Sequence, residues 1–226
     1  MIELQLGGER LQLLPALAAY LPEHHTLLLA DVHLGKAQTF RRLGVPVPVG
    51  TSLDTLHRLR RLVAQTGARG IVFLGDLLHA KHGLTPATVA AVQTWRQEHA
   101  ALELTLVRGN HDQRAGDPPP QWHIRCVTEP FELISSGGRS LQPRSGLSLK
   151  HHPAPEPGRY VLAGHMHPAA ILRGRSPGRL RLPCFHFGPT VGVLPAFGAF
   201  TGMHVMPRAD GDRVYVVAGD QVHALP

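Results

Sequence analysis

The chain has 226 residues, of which 43% are hydrophobic, and a formal net charge of +7 at pH 7. This length and apolar content exclude an intrinsically disordered protein, and we expect residues 1–226 to form one domain around a full hydrophobic core. No apolar run approaches the roughly 18 residues of a membrane span, and the start MIELQLGGER lacks the features of a signal peptide, so we expect a cytoplasmic protein without a membrane partner.

The first half of the chain predicts alternating strands and helices. In order, these are a strand over 26–30, a helix over 51–65, a strand over 70–74, a helix over 85–99 and a strand over 102–107. Thr51 or Ser52 is the expected cap of the first helix, and Thr85, followed by Pro86, is the expected cap of the second. Such alternation implies parallel strands joined by crossover connections.

The second half predicts short strands separated by Gly-rich turns, and we expect these strands to pair mainly antiparallel. They fall near 124–127, 131–134, 146–150, 160–163, 180–187 and 213–218. The two halves together predict an α/β fold, with α+β character in the second half, in which two packed mixed β-sheets are flanked by helices.

Five polar clusters follow one another along the chain, and the first three come directly after predicted strands. They are Asp31-Val-His33, Gly75-Asp76, Gly109-Asn110-His111-Asp112, His151-His152 and Gly164-His165-Met166-His167. Open α/β sheets place their active sites at the C-terminal ends of strands. Any one cluster alone is more often a polar loop than a site, but the series predicts a metal site.

The series resembles the motifs of the calcineurin-like metallophosphoesterases, which are D-x-H, G-D, G-N-H-D/E, a later H and G-H-x-H. The segments DVHLGKA, GVPVP, HHP, GHMHP and LPAFGAFTG are further similar to a bacterial ligase-associated subgroup. Members of that subgroup are regarded as DNA-damage-response endonucleases encoded near a DNA ligase and a helicase. The resemblance, from about Thr26 to the C-terminus, implies a four-layer sandwich and a phosphodiesterase or nuclease that works with a ligase and helicase in DNA repair or end processing.

The family's metal ligands map onto seven residues. The resemblance implies one ion at Asp31, His33 and His167, a second at Asn110, His152 and His165, and Asp76 as a bridge between the two. His152 is preferred because it directly precedes Pro153, and His151 stays open as the alternative. Carboxylate, amide and imidazole ligands suit two divalent ions, with manganese expected first and iron, zinc or nickel as alternatives.

The same resemblance implies hydrolysis of a phosphodiester, because metal binding lowers the pKa of water from about 15.7 towards 7. His111 is the candidate general acid for the leaving oxygen, and Asp112 is expected to orient it. A purely structural role for His111 is the alternative.

Cations near the clusters are the candidate substrate contacts. Lys36, Arg41 and Arg42 fall on a predicted loop that runs to Gly50, and Arg108 directly precedes the third cluster. Arg173, Arg175, Arg179 and Arg181, in a predicted hairpin, are candidates for a nucleic-acid contact. A solvated surface explains each of these arginines as well. The positive charge likewise has two explanations, an anionic partner such as DNA or an Arg-rich composition typical of GC-rich genomes.

Two side-chain roles and the substrate class stay open. His79, close to Asp76, is a candidate support for the site, and Phe197 and Phe200 are expected in the core rather than stacked on a base. DNA is the expected substrate. The alternatives are a small-molecule phosphoesterase acting on cyclic nucleotides, phosphomonoesters or nucleotide pyrophosphates, and, less favoured, a non-catalytic scaffold. The oligomeric state cannot be predicted.

Overall fold

The computed structural model describes residues 1–47, 50–133, 146–173 and 178–226. The α-helices there are α1 Lys36–Arg42, α2 Thr51–Thr66, α3 Pro86–Glu98 and α4 Asn110–Ala115. The strands are β1 Ile2–Leu6, β2 Glu9–Leu14, β3 Ala18–Leu21, β4 Thr26–Leu29, β5 Gly70–Leu74, β6 Glu103–Val107, β7 Ile124–Val127, β8 Leu147–Leu149, β9 Tyr160–Ala163, β10 Pro168–Arg173, β11 Arg179–Phe187, β12 Val191–Val193, β13 His204–Val205, β14 Arg213–Ala218 and β15 Gln221–Ala224. Short 3-10 helices lie at Pro22–His24, Lys81–Gly83 and Pro120–Trp122.

The first sheet contains β1 to β7 in chain order. Strands β1 to β4 pair antiparallel, and β4 to β7 pair parallel. The parallel pairing predicted for the first half is therefore confirmed. The N-terminal strands β1 to β3 were not predicted. They extend the sheet on the side away from β5, so β4 is an internal strand and its four residues are all buried.

The second sheet has the order β13-β10-β11-β12-β9-β8, with β14 beside β11 and β15 beside β14. Three of its pairs are parallel, namely β8 with β9, β9 with β12, and β10 with β13. The other four pairs described in this sheet are antiparallel, so the expectation of mainly antiparallel pairing is confirmed for the sheet but is wrong for β8 with β9 and for β9 with β12. The connection through residues 150–159 returns the chain to the starting end of β8, so β9 runs in the same direction.

Several element boundaries agree closely with the predictions, and three local expectations are wrong. The side chain of neither Thr51 nor Ser52 caps α2, which begins after Gly50 in the left-handed region at φ 93°. The predicted loop that carries Lys36 is helix α1 over its first seven residues. Phe131 forms one isolated bridge to Leu149 instead of a strand, and Ile134 lies outside the described residues.

Two large apolar clusters explain how the layers pack. One joins α2 and α3 to one face of the first sheet, through side chains such as Leu59, Trp95 and Phe73. The other lies between the two sheets and contains Leu28, Leu162 and Phe185. The predicted pair of packed mixed sheets with flanking helices is thus confirmed. No helix among the described residues is long and apolar enough to cross a membrane.

Candidate metal centre

The polar clusters meet at one edge of the molecule, where parallel strands of both sheets end. Asp31, Asp76 and Asn110 follow β4, β5 and β6 of the first sheet, and His151 and His165 follow β8 and β9 of the second. Because the strands within each set run parallel, their C-terminal ends lie side by side. Residues far apart in the chain therefore surround one polar site.

The backbone at this edge adopts an uncommon conformation. Asp31, His33, Asp76, His165 and His167 have φ values of 52°, 49°, 52°, 72° and 48°. They are five of the eight non-glycine residues with positive φ in the described part of the chain. The left-handed region costs such residues of the order of 1–3 kcal/mol each, and strain of this kind concentrates at functional sites.

One group of candidate ligands consists of Asp31, His33 and His167, whose ligand atoms lie within 4.8 Å of one another. Asp31 is fully buried, and its Oδ2 accepts a hydrogen bond of 2.8 Å from the backbone N–H of His165. Its Oδ1 lies 3.4 Å from Nε2 of His167 but has no hydrogen-bond partner among the described residues. A buried carboxylate oxygen without a partner is costly, and a cation between Asp31 and His167 would satisfy it.

A second group contains His151, Asn110 and His165. Nε2 of the fully buried His151 lies 3.1 Å from Oδ1 of Asn110 and 3.0 Å from Nδ1 of His165. Nδ1 of His151 faces the carbonyl oxygen of Leu74 at 3.0 Å and must carry the proton that it donates there. The lone pair on Nε2 therefore points into the cluster, as in histidines whose other nitrogen is fixed by a carbonyl.

His152 lies beside His151 but is closer to the surface. Its Nδ1 lies 2.8 Å from Oε1 of Glu129, and about 40% of its side chain is exposed. Oε2 of Glu129 accepts the backbone N–H groups of both histidines, at 2.7 and 3.0 Å. His152, which the sequence analysis preferred, stays within reach of the site, since His151, His152 and His165 offer ligand atoms within 4.8 Å of one another. The complete burial of His151 makes it the stronger candidate of the pair. The sequence analysis missed Glu129, which no local motif marks.

Asp76 lies between the two groups. Its Oδ1 is 3.5 Å from Nε2 of His151, and its Oδ2 is 3.8 Å from Nε2 of His33. The backbone N–H of His111 donates to Oδ1 at 2.9 Å and fixes the carboxylate. Each oxygen of Asp76 therefore faces a different group of ligands, the position that a bridging carboxylate requires.

Burial changes the pKa values of several candidate ligands and therefore their charge. It lowers the pKa of His33, His151 and His165, so these imidazoles are neutral near pH 7 and keep a lone pair. Burial also raises the pKa of Asp76, which a nearby Asp31 raises further. Neutral imidazoles and crowded carboxylates both gain from a divalent cation, so the residues present fit a metal centre.

His111 lies beside Asp76 at the site, but Asp112 makes other contacts than the expected one to the His111 ring. Nδ1 of His111 faces the carbonyl oxygen of His79 at 2.8 Å, and the ring is about 30% exposed above Asp76. The buried carboxylate of Asp112 instead accepts the backbone N–H groups of Leu78 at 2.9 Å and Gly109 at 3.0 Å. In the described residues, the contact that orients the His111 ring thus comes from the carbonyl oxygen of His79. Asp112 instead fixes the backbone of the loops at Leu78 and Gly109.

His79 also contacts a candidate ligand. Its Nδ1 lies 3.4 Å from Nδ1 of His33, and its ring stacks on that of His111 with centroids 4.8 Å apart. Burial, together with the charges of His111 and Lys36, lowers the pKa of His79 to about 4. The expected supporting position of His79 is therefore consistent with its contacts.

Of the four cations proposed as substrate contacts, only Lys36 lies at the site. Burial lowers its pKa, while the neighbouring charges of Asp31 and Asp76 raise it. The other three make contacts with neighbouring protein groups. Arg41 donates hydrogen bonds to the side chain of Gln38 and to the carbonyl oxygen of Val47, and Arg42 donates to the carbonyl oxygen of His82. Arg108 binds the carboxylate of Asp117 at 2.7 and 2.8 Å.

Of the four arginines of the predicted hairpin, Arg173, Arg179 and Arg181 lie on β10 and β11. Arg173 pairs with Arg179, and Ile171 pairs with Arg181, in the antiparallel register of these strands. Arg179 and Arg181 are exposed. Arg175 lies outside the described residues, as does the side chain of Arg173.

The comparisons with known proteins give a strong match among solved structures. No protein-family profile and no curated protein matches the chain. Among solved structures, the nuclease MPE of Pseudomonas putida is 40% identical, with 99% of each chain covered and a TM-score of 0.83. Yfce, a phosphoesterase from E. coli, is 17% identical, with 87% of this chain and 90% of that chain covered, and its TM-score of 0.40 is too low to support an inference.

Proposed function

Because this chain belongs to the same family as the nuclease MPE of Pseudomonas putida, we propose that it is a metal-dependent phosphodiesterase that hydrolyses nucleic acid. The observation that carries this proposal is Asp76, which lies with one oxygen towards each of two groups of candidate ligands. No cysteine or serine nucleophile is needed for such chemistry. The reaction is the hydrolysis of a phosphoric ester.

We assign the ligands from their contacts. Asp31, His33 and His167 would hold one ion, Asn110, His151 and His165 would hold the second, and Asp76 would contribute to both. The unpartnered Oδ1 of Asp31 and the inward lone pair of His151 support this division. Two divalent ions, with manganese the first candidate and iron, zinc or nickel as alternatives, would supply Lewis acidity that activates water and offsets phosphate charge.

The chain's own residues supply the remaining functions. His111 donates its Nδ1 proton to the carbonyl of His79, so its Nε2 is left to protonate the leaving oxygen when the ring is cationic. The ammonium group of Lys36, half-buried between the charges of Asp31 and Asp76, is placed to bind a non-bridging phosphate oxygen. Asp112 holds the backbone on which His111 lies.

DNA is the proposed polymer, supported by the net charge of +7 and by the nuclease relative. A role in DNA repair or end processing, in functional association with a DNA ligase and a helicase, is part of the same proposal. It depends on the resemblance of the motifs to the ligase-associated subgroup.

The test is cleavage by purified protein supplied with Mn²⁺. We expect hydrolysis of a DNA oligonucleotide and of a chromogenic phosphodiester, and weaker hydrolysis of a cyclic nucleotide. Asp76→Ala is expected to lose bound metal and activity together, because Asp76 faces both groups. A wild-type protein that cuts neither diester with Mn²⁺, Fe²⁺, Zn²⁺ or Ni²⁺ would overturn the proposal.

A further inference from the structure

The segment 198–202 is fixed to the metal centre at both ends. The backbone N–H of Gly198 donates to the carbonyl oxygen of Asp31 at 3.1 Å, and Nδ1 of His167 donates to the carbonyl oxygen of Gly202 at 3.1 Å. Within the segment, Oγ1 of Thr201 donates to the carbonyl oxygen of Gly198 at 3.0 Å. Any side chain on this segment therefore has a set position relative to Asp31 and His167.

Phe200 lies on this fixed segment and is 38% exposed. Its ring contacts Phe40 edge-on, with centroids 5.6 Å apart, and Phe40 lies 6.1 Å from the ring of His79. His79 in turn stacks on His111. A row of rings thus leads from the surface to the candidate general acid, and the ring of Phe200, its outer member, is accessible to a ligand.

The nearby charges indicate what that ligand is. Phe200, Lys36 and His33 line the same narrow cleft. A cation beside an exposed aromatic ring matches the two parts of a nucleotide, a phosphate and a planar base. Phe197, three residues earlier, has no such role, because it is fully buried with the guanidinium of Arg58 4.0 Å from its ring centroid.

We propose that Phe200, supported by Phe40, is a stacking platform for a nucleobase next to the phosphate that is cut. This inference rests on the proposed function and narrows its substrate to nucleic acid in which the base beside the cut phosphate is unpaired and accessible. The base lies on the exposed face of Phe200 while its phosphate reaches Lys36. Phe40 holds the ring of Phe200 from behind by the edge-on contact.

Binding without cleavage tests the platform separately from the chemistry. The probe is a fluorescein-labelled oligothymidylate, compared by fluorescence anisotropy with an abasic oligomer of the same length, in EDTA. We expect the wild-type protein to bind the base-containing oligomer more tightly. Phe200→Ala should weaken that binding about 5- to 150-fold, the range of a stacked base, and leave the abasic oligomer unaffected.

Two further variants serve as controls. Phe200→Trp should restore the preference for bases, and Met203→Ala, which changes a side chain of matched exposure at 39%, should leave it unchanged. Equal affinity of the wild-type protein for the two oligomers overturns the platform, as does an equal loss on both in Phe200→Ala. A preference for bases in EDTA without any cleavage in Mn²⁺ would instead count against the proposed function and leave the platform standing.

Discussion

Nε2 of His151 lies 3.1 Å from Oδ1 of Asn110, although the two residues follow strands of different sheets and are 41 positions apart. The contact is possible because β6 and β8 both end at this edge, and because Glu129 holds the backbone of the His151-His152 turn. The adjacent histidines therefore have different environments: His151 is buried inside the site, and His152 is partly exposed at its border.

Replacing these two histidines separates their roles. His151→Ala should lose about one of two ions per chain and lower activity by more than about a hundredfold, because it removes a proposed ligand. His152→Ala should keep both ions, because its side chain is about 40% exposed at the border of the site, whereas His151 is fully buried within it. Elemental analysis of the purified variants gives the metal content. The opposite pattern would restore His152 as the ligand.

His111 is expected to affect the rate without affecting the metal. His111→Ala should retain the metal content of the wild type and lose about 10²- to 10⁴-fold in kcat, the usual contribution of a general acid. The matched control is His57→Ala, at an exposed histidine on α2. Single-turnover rates on a DNA oligonucleotide measure the effect. Full activity in His111→Ala would remove this residue from the acid role.

His79 should make the metal-free protein less stable in acid. In the unfolded chain this histidine takes up a proton below its ordinary pKa of about 6.5, whereas the folded protein, with a pKa of about 4, does not. The unfolded state thus binds more protons between these values, and stability falls as the pH drops from about 6.5 towards 4.

Urea unfolding in EDTA at several pH values measures this dependence. His79→Gln should give a shallower slope of the free energy of unfolding against pH, whatever its stability at pH 7. His57→Gln should keep the wild-type slope, because that side chain is exposed in the folded protein. Parallel slopes for His79→Gln and the wild type would contradict the prediction.

Arg58 is expected to stabilise the segment beneath the site. Its guanidinium donates to the carbonyl oxygen of Phe197 and lies over the Phe197 ring. Arg58→Met should lower the free energy of unfolding by about 1–2 kcal/mol. Arg61→Met, one turn further along α2 and exposed, should change it by less than about 0.5 kcal/mol. Equal effects of the two variants in urea unfolding would argue against a special role for Arg58.

The sequence predicted those parts of the fold that depend on local pattern. The apolar run at Gly70–Leu74 has the expected bounds because its position between two parallel strands requires apolar residues throughout. Thr85 caps α3, as its residue type predicts, by accepting the N–H of Thr88. The position of Asp31 and Asp76 at strand ends was predictable for the same reason.

The features that escaped prediction depend on distant contacts. The parallel pairing of β8 with β9 depends on contacts within the assembled second sheet. The sequences of such short strands do not predict their direction of pairing. The direction of His151 depends on Glu129, 22 residues away. The helix from Lys36 to Arg42 has no side-chain cap, so its start at Gly35 left no recognisable pattern.

The bonds from Gly198 to Asp31 and from His167 to Gly202 have a consequence for synthesis on the ribosome. The first three polar clusters emerge early, but the segment that fixes Asp31 and His167 emerges only after β12. A nascent or truncated chain that stops before residue 198 is therefore expected to bind metal poorly and to cut nothing. The order of translation would thus delay nuclease activity until the chain is nearly complete.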